Sequence, residues 1–327
     1  MNFLVVLQKQ SGNVFTNFLH KEKESIIYVE EENFDSGTSV FKPFLDFDRK
    51  EKFITAFEMD SHAYFVTLVK GTNKIRVYTD NETVPKEIPL VLPAPVADID
   101  LESTLKNVKV IKADKEADLF TAKSKTKLYT FSKGKLFITI DNIYKYTVLF
   151  SLDLNNYTAS SHLFMQTLFY CNSVDRVDII QTNSFVYRNK LIQGIFCPEH
   201  FLLEVKSIDK DSALFSFHAQ RDSAISFASS DLIKREQNDI VRVSLFAPKK
   251  DPRSVNEKEL KAKDFFKAVG RSELSFVIVN AGDNVVLKIG ESHNLYTGGG
   301  GGFYGGGVGA GGVGGVPAAP VYYGGYS

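Results

Sequence analysis

Lys127 to Ile140, KLYTFSKGKLFITI, is the stretch on which the reading of the fold turns. Side chains of a strand alternate between its two faces, so Leu136, Ile138 and Ile140 share one face. Ser132-Lys133-Gly134 is a short polar break whose glycine suits a tight turn, and Lys127–Phe131 before it reads as a second strand. The whole stretch therefore predicts an antiparallel hairpin. Two more follow the same plan. Tyr64–Val69 and Ile75–Thr79 flank Lys70-Gly71-Thr72-Asn73, and Leu274–Val279 and Val285–Ile289 flank Asn280-Ala281-Gly282-Asp283-Asn284. Phe201 to Ser230 reads as a three-stranded meander.

The hairpins belong to a weak repeat. Lys135-Leu136 aligns with Lys190-Leu191 and Ile140 with Ile195, an offset of 55 residues, and one inserted residue later Ser151-Leu152-Asp153 matches Ser207-Ile208-Asp209. Strand, turn, strand and an Asp-containing polar turn is the order of elements in β-propeller blades, each a four-stranded sheet of roughly 40 to 50 residues. The fold class predicted is all-β, mainly antiparallel hairpins, as a propeller of about five to seven blades. A large β-sandwich or two smaller β-domains are the alternatives. Trp-Asp and paired-glycine blade signatures are absent from the sequence.

One helix is predicted near 255–269. Ser254 and Glu257 have capping-box spacing, Ala262, Phe265, Phe266 and Val269 form an apolar stripe, and Gly270 can end the helix. Pro85, Pro89, Pro93 and Pro95 mark a loop or a connection between units.

Composition divides the chain in two. Of 23 glycines, fifteen fall in residues 298–327, which contain no charged residue. Residues 1–297 read as a β-rich, propeller-like body, and 298–327 as a disordered Gly/Tyr-rich tail, since dense glycine raises the entropy cost of ordering. At flexible-linker statistics the tail would span on the order of 30 Å. Phe303, Tyr304, Tyr322, Tyr323 and Tyr326 are spaced along it as stickers for weak association. Val313-Gly314-Gly315-Val316-Pro317 resembles the units of elastomeric proteins, and the Gly/Tyr-rich run with Ala318-Ala319-Pro320-Val321 resembles the tails of cuticular and other structural proteins. That resemblance implies an extracellular structural role as one alternative, with Asn81-Glu82-Thr83 and Asn156-Tyr157-Thr158 as its glycosylation sequons.

Charge narrows the partner classes. Lys plus Arg and Asp plus Glu balance at 39 each, so no global field favours nucleic acid or an anionic membrane. The most biased segment, Thr104–Leu136, carries nine lysines against three acids and no arginine. Lys123, Lys125 and Lys127 on one strand face read better as the guard of an exposed edge strand than as a phosphate-contacting strip. The start, MNFLVVLQKQ, is too short in its apolar run for a secretory signal, and no apolar stretch reaches the length of a membrane helix. With only two cysteines, Cys171 and Cys197, a reducing cytoplasmic compartment is the expected one.

Chemistry-bearing clusters are sparse. Cys197, Glu199 and His200 put three metal-ligand types within four residues, but no second ligand pair of matching spacing accompanies them, and a turn between two strands accounts for them better. Acidic groups at Glu30-Glu31-Glu32, Asp46 and Asp48, Asp98, Asp100 and Glu102, and Asp209 and Asp211 would need carboxylates from elsewhere to bind a cation or form an acid/base pair. No nucleotide fingerprint or other cofactor motif is seen, and no cofactor is expected. The function predicted is a non-enzymatic interaction or scaffold module with a protein partner and a self-associating tail. A hydrolase-like enzyme with an acidic or cation-binding pocket on the propeller face is the main alternative.

Overall fold

In the computed structural model the described residues are 3–21, 25–82, 84–112, 117, 119–167, 180–210, 212–223, 232–237, 255–269, 274–281 and 284–290. The hairpin at Lys127–Ile140 forms as read. Strands β10 (Thr126–Phe131) and β11 (Lys135–Ile143) pair antiparallel, Phe131 opposite Lys135. The turn needs its glycine. Lys133 and Gly134 have φ of 65° and 73°, and a Cβ on Gly134 would stand 2.9–3.1 Å from the side chain of Asn155, which itself donates to the Lys133 carbonyl at 3.0 Å.

Around this hairpin the chain builds sheet after sheet in sequence order. The first is β1 (Phe3–Ser11), β2 (Val14–Lys21), β3 (Ile26–Asn33) and β4 (Thr38–Asp46). The second is β5 (Glu51–Met59), β6 (His62–Val69), β7 (Lys74–Thr79) and β8 (Lys86–Pro89). In the third, β9 (Lys109–Lys112) precedes β10 and β11, and β12 (Tyr146–Asp153) and β13 (Thr158–Met165) complete it. The fourth is β14 (Gln181–Tyr187), β15 (Lys190–Cys197), β16 (His200–Ser207) and β17 (Ser212–Gln220). Two hairpins follow: β18 (Leu232–Gln237) with β19 (Val255–Leu260), and β20 (Ser275–Ala281) with β21 (Asn284–Gly290).

Each of the four sheets is an antiparallel up-and-down meander with strands in sequence order, apart from β9, which adds to β10 in parallel through the short helix α2 (Leu119–Ala122). Successive sheets neighbour one another through their early strands: β1 packs by β5, β5 by β10, β11 by β14 and β14 by β20. Consecutive four-stranded meanders laid face to face are the blades of a β-propeller, and the chain has that fold.

The cores lie between blades, so most strands are covered on both faces. Phe18, Ile27 and Val29 of the first blade meet Ala63, Phe65 and Tyr78 of the second. Val66, Leu68 and Val77 meet Leu136, Ile138, Ile140, Val148 and Phe150 of the third. Tyr129, Leu149 and Phe164 meet Phe185, Leu191, Ile192 and Phe196 of the fourth, joined by Phe276 and by Phe265 and Phe266 of the helix α3 (Ala262–Val269). Within β12, Val148 and Phe150 face backwards to the second blade while Leu149 faces forwards to the fourth.

The 55-residue offset is a blade-to-blade equivalence. Lys135 and Lys190 open β11 and β15, the second strands of their meanders, and Asp153 and Ser207 end the strands that pair with them, so the match of Ser151-Leu152-Asp153 with Ser207-Ile208-Asp209 is two residues out of register. The proline cluster covers the edge strand β8 and the connection that follows, a 3-10 turn (Ala94–Val96) and the helix α1 (Leu101–Leu105), whose N-terminus is capped by Asp100 accepting from the Glu102 N–H at 3.0 Å. One expectation is corrected. The predicted helix loses its first half, because Val255–Leu260 pairs antiparallel with β18, and strand pairing overrides the capping-box spacing. The ends Ser254 and Gly270 lie outside the described residues, as do Ser223–Ser230 in part and the whole tail.

Candidate functional site

Two places stand out on the blades, one outside and one between them. The outer one is the edge of the first blade. Strand β4 ends its sheet, and from Thr38 to Pro43 every residue is exposed. Val40 is 48% and Phe41 50% exposed, and Phe34, in the turn entering β4, 63%. The rings are held and do not dangle: Phe41 stacks on Tyr28 with centroids 5.3 Å apart and planes within 5°, and Phe34 meets Phe15 edge-on at 5.2 Å. The β3–β4 register slips between Ile27 and Tyr28, where Pro43 faces Tyr28. Pro43 has no N–H to give a ladder, which suits an edge strand. The rim is acidic, with Glu30, Glu31, Glu32 and Asp35; Glu31 lies 3.7 Å from the Lys42 amine and Glu30 accepts from Asn17 at 3.3 Å. The fourth blade repeats the arrangement on its outer strand β17, with Leu214 and Phe215 exposed.

The second place is a polar seam between the third and fourth blades. The faces of β10, β11 and β12 opposite the apolar set present Lys127, Thr139, Asp141 and Thr147, and β14 and β15 answer with Asn183, Ser184 and Gln193, all buried. Lys127 is 0% and Asp141 2% exposed. The Lys127 amine donates to Asp141 Oδ2 at 3.0 Å, Asn183 Oδ1 at 2.9 Å and the Ser124 carbonyl at 2.6 Å. Asp141 also accepts from the Ser184 N–H at 3.0 Å and hydroxyl at 2.7 Å, and its Oδ1 from Thr147 at 2.7 Å. Gln193 and Gln166 donate to Thr147 Oγ1 at 3.0 and 3.4 Å. Burial pushes the Lys127 ammonium down from its ordinary value, against the pull of Asp141. Lys127 is thus no edge guard: the next blade covers the strand face that the sequence left open. Lys125 reaches across too, to the Thr182 carbonyl.

The sequence-predicted metal residues lie at the β15–β16 turn. Cys197 pairs with His200 in register, is buried and is disulfide-bonded, so it offers no thiolate. Glu199 accepts from Arg221 at 2.8 Å. His200 Nδ1 lies 3.0 Å from His218 Nε2 with the rings nearly parallel, and burial together with the charge of His200 pushes His218 down from the usual histidine value. Among the described residues no three His, Cys, Asp or Glu side chains gather as a metal-ligand group. The acidic clusters stay apart: Asp100 caps α1, Asp209 accepts from Asn189, and Asp46 accepts from Ser25 at 3.3 Å. Cys171 and the tail aromatics Phe303, Tyr304, Tyr322, Tyr323 and Tyr326 lie outside the described residues. Among the described residues no helix is long and apolar enough to cross a membrane.

No protein-family model matches the chain, and no curated protein does. Solved structures similar to it include the β-propeller domain of the Trilobed protease from Pyrococcus furiosus, at 9% identity and a TM-score of 0.30 over 88% of this chain and 80% of that one. The Dos1 propeller is similar at 10% identity and a TM-score of 0.29, over 85% of this chain and 64% of that one. The dihydro-heme d1 dehydrogenase NirN is similar over 65% of this chain but only 37% of its own length, at 10% identity and a TM-score of 0.30. At such scores the likenesses carry no functional argument, and the fold rests on the blades themselves.

Proposed function

We propose that this chain is a non-enzymatic protein-interaction module whose docking surface is the outer edge of its first blade. The observation that carries the reading is the row Phe34, Val40 and Phe41, exposed beside a strand that ends its sheet. An edge strand offers free N–H and C=O groups to an extended segment, and ordered aromatic rings beside it supply the apolar anchors that dominate interface energy. Glu30, Glu31, Glu32 and Asp35 around it favour a basic segment.

Affinity capture with the full-length protein as bait tests the assignment. The partner so captured is expected to bind Phe41→Ser at least about 30-fold more weakly, the worth of about 2 kcal/mol for a central anchor. Undiminished binding by a Phe34→Ser, Val40→Ser, Phe41→Ser triple variant would move the site elsewhere.

Residues 298–327 add weak self-association through their aromatic stickers to this body. Sedimentation of the full chain is expected to show concentration-dependent association that a chain ending at Thr297 lacks. Identical behaviour of the two would leave the tail without this role. The disulfide at Cys197 favours an oxidising compartment over the cytoplasm that the sequence suggests, because cytosolic thiols are kept reduced.

A further inference from the structure

We infer that Lys127 and Asn183 are the partners of an intramolecular amide cross-link between the third and fourth blades, formed with Asp141 as proton carrier. The three groups meet buried in the seam: Lys127 and Asn183 are both 0% exposed. The Lys127 amine donates to Asn183 Oδ1 at 2.9 Å and to Asp141 Oδ2 at 3.0 Å, so a swing of the amine off the oxygen brings it to the carbonyl carbon that bears it. Ser184, the neighbour of Asn183, fixes the carboxylate from the far side with its N–H and its hydroxyl. Reacting groups locked at contact in a site closed to water gain the large effective concentration of an intramolecular reaction, and hydrolysis does not compete.

The leaving side of the amide is lined by acceptors. Asn183 Nδ2 faces three carbonyl oxygens, of Leu274 at 2.7 Å, Ala122 at 3.2 Å and Lys123 at 3.3 Å. An amide nitrogen has two hydrogens to give; ammonia has three. One amide hydrogen goes to Leu274 and the other is shared between the adjacent Ala122 and Lys123 carbonyls, and the same three oxygens can accept the three hydrogens of departing ammonia.

The step balances without an oxidant or a further reactant. Asp141 takes a proton from the Lys127 ammonium, and the freed lone pair attacks Cγ of Asn183 to make the new C–N bond. The tetrahedral carbon collapses, the Cγ–Nδ2 bond breaks, and Nδ2 takes the proton from Asp141 and leaves as ammonia. Asp141 accepts the second Nζ proton and passes it out, so the net products are a secondary amide, an ammonium ion and the carboxylate restored. Burial of Lys127 works in the same direction, since it favours the neutral amine that attacks.

The test is the intact mass of the full-length protein after reduction of its disulfide. A deficit of one ammonia against the sequence is expected, with protease digestion giving one peptide pair joined through Lys127 and Asn183 that survives reductant. Lys127→Arg is expected to show the full mass. A wild-type chain of full mass overturns the inference. Loss of one water in place of ammonia puts the bond on Asp141 and overturns the assignment to Asn183, and a deficit that persists in Lys127→Arg overturns the role of the lysine.

Discussion

Asp141→Ala is expected to lower the free energy of unfolding by about 3–5 kcal/mol, the cost of stranding a buried charge by removing its partner. The substitution leaves Lys127 in a seam where it is 0% exposed, and it removes the acceptor for Ser184 and Thr147 at the same time. It also stops the cross-link described above. The measurement is a urea titration read by two optical probes, with the midpoint falling and the slope rising, because without the cross-link the unfolded chain is less compact. A loss below about 1 kcal/mol would mean that the seam is wet, because only water around Lys127 would make its partner dispensable. Lys127→Met combined with Asp141→Leu is expected to recover part of the loss, since no charge then stays uncompensated.

Phe276→Ala is expected to cost about 3–5 kcal/mol through the cavity it leaves in a packed core. Phe276 is fully buried on β20, among Phe185, Phe196 and Phe266 in the cluster that ties the fourth blade to the β20–β21 hairpin. Its ring occupies the space over Gly194. A Cβ on that glycine would fall 2.6 Å from Phe276 Cε1 and 3.3 Å from Leu274 Cδ2, so Gly194→Ala forces the ring aside at about 1–3 kcal/mol. The two positions share one volume, and Gly194→Ala placed on Phe276→Leu should cost less than the sum of the single changes. Additive behaviour in unfolding titrations would show that ring and glycine do not touch.

The blade plan could be read ahead because it is written in local pattern. Alternation and short turns fix hairpins such as Lys127–Ile140, and the match of Leu136 with Leu191 follows from equivalent strands of adjacent blades. What covers a strand is not local. Lys123, Lys125 and Lys127 looked like an exposed edge because a lysine-rich strand usually is one, and nothing near Lys127 in sequence points to Asn183, 56 positions on. Glu257 at capping-box distance from Ser254 described a helix start, whereas the partner that holds Val255–Leu260 extended is β18. Nothing in the pattern of apolar residues marks Val40 and Phe41 of β4 as exposed. One signal could have set them apart: Pro43 within a strand pattern points to an edge, where its missing N–H does no harm. The pairing at Cys197 was out of reach, since two cysteines in a long chain say nothing about their distance in space.

The seam between the third and fourth blades also keeps time. Asp141 and the Ser184 that covers it lie 43 residues apart along the chain. A ribosome adding roughly 5–20 residues per second takes roughly 2–9 seconds to deliver the second after the first. For that interval the Lys127–Asp141 pair stands on the open face of a half-made propeller, hydrated and inexpensive to hold. The fourth blade is what takes the pair out of water, since Asn183 and Ser184 supply its covering side.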